Sequence, residues 1–171
     1  MRQKSIIIPL FLMLFMGPWI QAQEIQWLSW EEAVQRSVSD ENPKKLFVDV
    51  YTDWCGWCKK MDKDTFQNPE VAKYMQENFY MVKLNAEGKE PIEYNGKSFK
   101  FIASGRTGYH ELAVALLQGK LTYPTVVFLD EQRNMLSPVP GYQKVGPFLH
   151  IARYFGDNIY KVKDWKSYAS N

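Results

Sequence analysis

The sequence predicts an α/β domain: a central mixed sheet with helices on both faces. Three observations carry this expectation. Short apolar runs rich in β-branched residues recur at 46–51, 81–85 and 125–129. Segments with apolar residues at helical spacing separate them, as parallel neighbours in a sheet require. The run at 125–129 is followed by a turn at 130–134, another strand at 135–139 and a last helix, so an antiparallel hairpin completes the sheet.

In the first helical segment, 27–39, Trp30, Ala33, Val34 and Val38 form the apolar stripe, and Ser29 with Glu32 has the form of a capping box. Asp40-Glu41-Asn42-Pro43 ends it. The strand at 46–51 is apolar except for Asp49, a carboxylate out of place in a buried strand. A helix is expected over 56–66, and another begins at Asn68-Pro69 with Val71, Ala72, Met75 and Phe79 inward. After the strand at 81–85 comes an irregular insert, about 87–108, in which Asn95-Gly96 signals a hairpin. A helix over 109–118 stops at Gly119, and the last, 145–155, buries Val145, Phe148, Leu149, Ala152 and Phe155. Residues 158–171 read as a short tail packed on the domain formed by 23–157.

The N-terminus reads as an export signal. Met1-Arg2-Gln3-Lys4 precedes an apolar run over 6–20 and then Gln21-Ala22-Gln23, so residues 1–22 are expected to be cleaved as a signal peptide. The apolar run is short for a membrane span, which needs ~20 residues. The chain has 21 Lys+Arg and 19 Asp+Glu, and losing Arg2 and Lys4 balances the two. A neutral domain argues against nucleic acid as a partner. The expected location is periplasmic or extracellular, with no membrane contact by the mature domain.

The only two cysteines stand in Trp54-Cys55-Gly56-Trp57-Cys58-Lys59-Lys60, directly after the first strand. Exported cysteine pairs are usually structural bridges, but a staple gains stability from the length of loop it closes, and this pair closes almost none. Thiol–disulfide exchange needs a thiolate and a second thiol within reach. Cys55 at a helix N-terminus is favoured as an anion, and Cys58 one turn later would lie beneath it, so Cys55 is the expected attacker and Cys58 the resolver. Lys59 and Lys60 add positive charge, while Trp54, Gly56 and Trp57 supply a contact surface for substrate. The alternatives are an inert bridge or a metal site. Zinc would need two more ligands, and His110 and His150, read as solvated or capping residues, lie far along the chain.

The segment Val48-Asp49-Val50-Tyr51-Thr52-Asp53-Trp54-Cys55 resembles the strand and active-site loop of the thioredoxin family, and the likeness extends over most of the mature domain. The resemblance implies that Asp49 exchanges a proton with Cys58 and that Lys83, in Val82-Lys83-Leu84-Asn85, approaches Asp49. It also implies a cis-proline turn at Tyr123-Pro124 that lies against the cysteines and presents backbone to a bound peptide; Gly141 fits the same pattern. Three features depart from it. Gly56-Trp57 replaces the pairs seen between the cysteines in better-known members, no proline interrupts the helix after Cys58, and the insert nearly doubles the spacing from Asn85 to Pro124.

The expected function is an exported thiol–disulfide oxidoreductase that reduces, oxidises or isomerises disulfides of other exported proteins. It needs no cofactor beyond the Cys55–Cys58 pair and no metal, but it does need an electron donor or acceptor. The alternative is a binding or chaperone-like module that uses the Trp54/Trp57 surface, with the sulfurs incidental. A thiol peroxidase is a third, weaker reading.

Overall fold

The computed structural model describes residues 24–170. Its elements are β1 (Trp27–Leu28), α1 (Trp30–Ser39), β2 (Lys45–Tyr51), α2 (Gly56–Met61), α3 (Pro69–Asn78), β3 (Phe79–Asn85), β4 (Ile92–Tyr94), β5 (Lys97–Phe99), β6 (Phe101–Ser104), β7 (Thr107–His110), α4 (Glu111–Leu116), β8 (Thr125–Leu129), β9 (Met135–Pro140), α5 (Val145–Gly156) and α6 (Trp165–Ala169). A π-helical stretch, Asp62–Phe66, continues α2, and a 3₁₀ turn, Ile159–Lys161, follows α5.

Five strands form the central sheet in the order β1-β3-β2-β8-β9. β2 runs parallel to β3 and antiparallel to β8, so the sheet is mixed as the sequence predicts. Its two faces follow from the period-two alternation of side chains. Leu46, Val48 and Val50 of β2 point into one core with Val82, Val127 and residues of α1 and α4. Phe47 points the other way, into a core with Met75 of α3 and Phe148 of α5. There Phe47 packs edge-on against Phe66, Phe128 and Phe148, with ring centroids 5.3–5.8 Å apart. Asp49 has the parity of Phe47. It therefore belongs to this second face.

The helix caps follow the sequence. Ser29 Oγ accepts from the Glu32 N–H at 3.1 Å, while Glu32 accepts from the Ser29 N–H at 2.8 Å. Asn68 caps α3 ahead of Pro69. Val38, expected in the α1 stripe, is exposed; Ser37 takes the inward position and donates to the Val34 carbonyl at 2.7 Å. The 30, 33, 34, 37 spacing follows the helical period, and residue 38 has rotated past the core.

The insert is more regular than expected. It forms two consecutive hairpins, β4–β5 and β6–β7. Asn95 and Gly96 both take positive φ in the first, as a two-residue I′ turn requires. In the second, Gly105 alone does so, the II′ arrangement. Tyr109 and His110, expected in a helix, belong to β7, and α4 begins only at Glu111. The buried His110 sets that start: its Nδ1 accepts from the Leu112 N–H at 3.2 Å, and its Nε2 lies 3.1 Å from the Glu90 carbonyl. The capping role holds; the solvated one does not.

At the C-terminus, Trp165 and Tyr168 of α6 pack on Tyr154 of α5, each with centroids 5.1 Å away, and His150 stacks on Tyr168 at 4.3 Å. The sheet's outer strand β9 contains Pro138 and Pro140, opposite Val127 and Thr125 of β8. No helix among the described residues is long and apolar enough to cross a membrane. The signal-peptide expectation lies outside the described residues.

Candidate active site

β2 ends at Tyr51, and the chain turns through Thr52 to Trp54 to deliver Cys55 as the N-cap of α2. The Cys55 N–H donates to the Thr52 carbonyl at 3.1 Å, which closes the turn. Cys55 and Cys58 form a disulfide, with Cα atoms 5.3 Å apart. Cys55 Sγ accepts from the Cys58 N–H at 3.1 Å, so the sulfur meets one of the free donors of the helix start. Both cysteines are buried between exposed neighbours, Trp54 at 66% and Trp57 at 59%. Gly56 is exposed at the first position of α2, and a Cβ there would touch nothing within 4 Å. The space around it would therefore accept a side chain.

Each tryptophan is held from the side. Trp54 Nε1 donates to both oxygens of Glu87 at 3.1 Å, and its ring meets Tyr123 edge-on at 5.9 Å. Trp57 leans on Tyr142 at 5.5 Å, whose hydroxyl donates to Asp64 at 2.9 Å. Asp64 also pairs with Lys60 at 2.6 Å, so the positive charge expected from Lys60 is balanced locally. The Tyr123–Pro124 peptide is cis, as the resemblance implied. The Pro124 carbonyl accepts from the Gly141 N–H at 2.8 Å, which ties the turn to the end of β9. Through Tyr123 the structure brings this turn against Trp54.

Asp49 is 2% exposed on β2, directly opposite Lys83 on β3. Burial pushes its carboxyl up to about 7; the Lys83 charge opposes that rise and the Asp62 charge adds to it. The Lys83 ammonium lies 3.6 Å from Asp49. It lies closer to Asp62, 2.6 Å from both carboxylate oxygens. The expected Lys83–Asp49 partnership is therefore shared with a second carboxylate. Asp62 sits one turn beyond Cys58, its N–H donating to the Cys58 carbonyl.

Glu87, Asp62 and Tyr142 carry no mark in the sequence that would single them out. Each reaches the site by a contact between residues far apart in the chain. Glu87 alone had a faint signal, as the first residue of an insert that starts where a strand leaves the sheet. Thr52 is also buried here, and its hydroxyl has no hydrogen-bond partner among the described residues.

Comparison with known proteins agrees with this geometry. The family described as "Thioredox_DsbH: Protein of unknown function, DUF255" matches residues 18–146. A Chlamydia pneumoniae protein named disulfide bond reductase DsbH is 33% identical over 104 residues, 59% of this chain and 62% of its own length. The chain spans less of other curated relatives, 9–17% of their lengths. Among solved structures, a DsbH oxidoreductase aligns with 88% of this chain and 94% of its own at a TM-score of 0.55 and 21% identity. A putative disulphide-isomerase from Bacteroides thetaiotaomicron aligns with 78% of this chain and 94% of its own, at a TM-score of 0.54 and 26% identity. The fold is thus that of thioredoxin, and this chain belongs to the thioredoxin-like DsbH (DUF255) family.

Proposed function

We propose that the protein is an exported thiol–disulfide oxidoreductase acting on cysteines of other exported proteins. The observation that carries this reading is the Cys55–Cys58 disulfide at the start of α2, between two exposed tryptophans; the strand that leads into it, β2, carries a buried carboxyl, Asp49, raised to about 7. In the reducing direction, the Cys55 thiolate attacks one sulfur of a substrate disulfide. A mixed disulfide forms, and the substrate's other sulfur leaves as a thiolate. Asp49 takes the proton of Cys58, whose thiolate then attacks Cys55 Sγ; the internal disulfide forms and the substrate leaves with both sulfurs reduced. Each step also runs backwards, so oxidation and isomerisation use the same groups. A carboxyl poised at about 7 can both accept and return that proton at physiological pH. Trp54, Gly56, Trp57 and Tyr123 form the surface on which the substrate chain lies; Pro124, next to Tyr123, is buried. The basic and apolar run at residues 1–22 supports export. The names of the chlamydial and Bacteroides relatives support disulfide chemistry.

The test is trapping. Cys58→Ala should accumulate a mixed disulfide with substrate, visible as a reducible adduct by mass, and Cys55→Ala should abolish exchange. A Cys55→Ala protein that still exchanged disulfides would overturn the proposal.

A further inference from the structure

Trp57 leans on a loop to which the exchange chemistry assigns no role. β9 ends at Pro140 and α5 begins at Val145. Residues 141–143 between them are held on two sides. On one, the Gly141 N–H donates to the Pro124 carbonyl at 2.8 Å, with Gly141 at a φ of 90° that favours glycine. On the other, α2 and its π-helical continuation hold the loop at three points. The Trp57 ring meets Tyr142 at 5.5 Å, the Tyr142 hydroxyl donates to Asp64 at 2.9 Å, and the Thr65 hydroxyl donates to the Gln143 carbonyl at 2.6 Å. Asp64 and Thr65 are consecutive residues of the π-helical stretch Asp62–Phe66, a form that recurs at functional sites.

These contacts close a circuit around the cysteines. Trp54, next to Cys55, meets Tyr123; the cis peptide joins Tyr123 to Pro124, which accepts from Gly141; Tyr142 follows and supports Trp57, next to Cys58. The support itself is firmly fastened. Asp64 accepts from Lys60 at 2.6 Å as well as from Tyr142, and these two bonds hold its carboxyl below the usual aspartate range. An ionised acceptor strengthens the bond from the phenol. The Lys60 ammonium also stands 5.8 Å from the centre of the Tyr142 ring. Trp57, by contrast, is left 59% exposed. Its Cα is one peptide unit, about 3.8 Å, from that of Cys58. An exposed indole free to turn would lose rotamer freedom when a substrate chain settled on it, and one already resting on a fixed ring loses less.

We infer that Tyr142 is a positioning residue that acts through Trp57: it holds the indole in the orientation on which a polypeptide substrate rests, and so favours disulfides carried by polypeptide chains over small ones. This rests on the oxidoreductase reading and adds a substrate class to it. The probes are a peptide closed by one disulfide and hydroxyethyl disulfide, which is too small to span the cysteines and Trp57 together. The reduced protein is mixed with each in a single turnover; its dithiol becomes the disulfide as the added disulfide becomes two thiols. The quantity read is the ratio of the peptide rate to the small-disulfide rate. Tyr142→Ala should lower that ratio about fivefold, the scale expected for one side chain left to be immobilised on binding. Tyr142→Phe, which keeps the ring and loses only the bond to Asp64, should lower it about twofold. In a Trp57→Ala background Tyr142→Ala should lower it no further, because the two residues act as one unit. An unchanged ratio in Tyr142→Ala and Tyr142→Phe, or an equal fall in both rates, would overturn the positioning role while leaving exchange at Cys55 in place. A full Tyr142→Ala effect without Trp57 would overturn the route through the indole. Wild-type protein that reacted with neither disulfide would overturn the oxidoreductase reading beneath it.

Discussion

The pairing register of β2 and β3 sets Asp49 directly opposite Lys83, with the ammonium 3.6 Å from the carboxylate. Lys83 is nevertheless drawn toward Asp62, at 2.6 Å, so one cation serves two carboxylates. Burial raises the Asp49 carboxyl to about 7, and a lysine shared between two carboxylates offsets that rise only in part. A fully engaged lysine would favour the ionised form more strongly.

Asp62→Asn removes a negative charge that raises the Asp49 pKa and frees Lys83 to close on Asp49. Both effects act in the same direction. The Asp49 pKa should fall by about 1 unit, within the range a nearby charge commonly produces. Carboxyl carbon NMR of the oxidised protein across pH 4–9 reads this directly, and an unchanged midpoint would show that Asp62 does not act on Asp49.

Asp49 should also make stability depend on pH. Its folded pKa, about 7, lies above the ordinary aspartate value of 3.8, so the folded state holds the proton more tightly. The contribution is fully present below the unfolded value, declines as pH rises and is lost above about 7. A shift of this size corresponds to on the order of 4 kcal/mol. Asp49→Asn should therefore stabilise the oxidised protein little at pH 4 and by several kcal/mol at pH 8. Urea unfolding at the two pH values measures the difference.

Thr52→Val should stabilise the protein by about 1 kcal/mol. The buried hydroxyl has no partner among the described residues, and replacing such a group by an apolar one of the same shape removes its desolvation cost. A lower unfolding midpoint for the valine variant would show that the hydroxyl is satisfied in solution.

Glu87→Gln keeps the shape of the Trp54 contact and removes its charge. Stability should change by less than ~0.5 kcal/mol, because the contact is exposed. The rate of exchange with a peptide disulfide should fall about two- to fivefold, because a neutral amide with one acceptor oxygen in place of two holds the Trp54 indole less firmly beside Cys55. Stopped-flow kinetics and Trp fluorescence follow the two effects separately.

The sheet, its helices and the cysteine turn were legible because local signals agree with the tertiary structure. The run at 46–51 is apolar enough to be a central strand, and Asp49 stands out within it for the same reason. Ser29, Asn68 and Asn95-Gly96 act through backbone chemistry within a few residues, so they are readable one stretch at a time. β1 was not legible: two residues give no period, and its strand character comes from pairing with Met81 and Val82. The β6–β7 hairpin lacks an apolar alternation because it packs no core face. Asp62, Glu87 and Tyr142 are ordinary surface residue types whose importance arises only when the fold juxtaposes them with Lys83, Trp54 and Trp57. His110 looked solvated because nothing in the sequence shows that β7 carries it inward.

The prolines of β9 bear on life among partly folded proteins. A strand tolerates Pro138 and Pro140 only where the missing N–H faces away from its neighbour, so these positions leave the outer rim of the sheet short of donors. The opposite rim, β1, is two residues long. Any exported protein that met an open rim with an unpaired strand of its own would otherwise find a ladder to extend. With both rims blunted, a client's main chain is left to meet the protein at the cysteines rather than along the sheet.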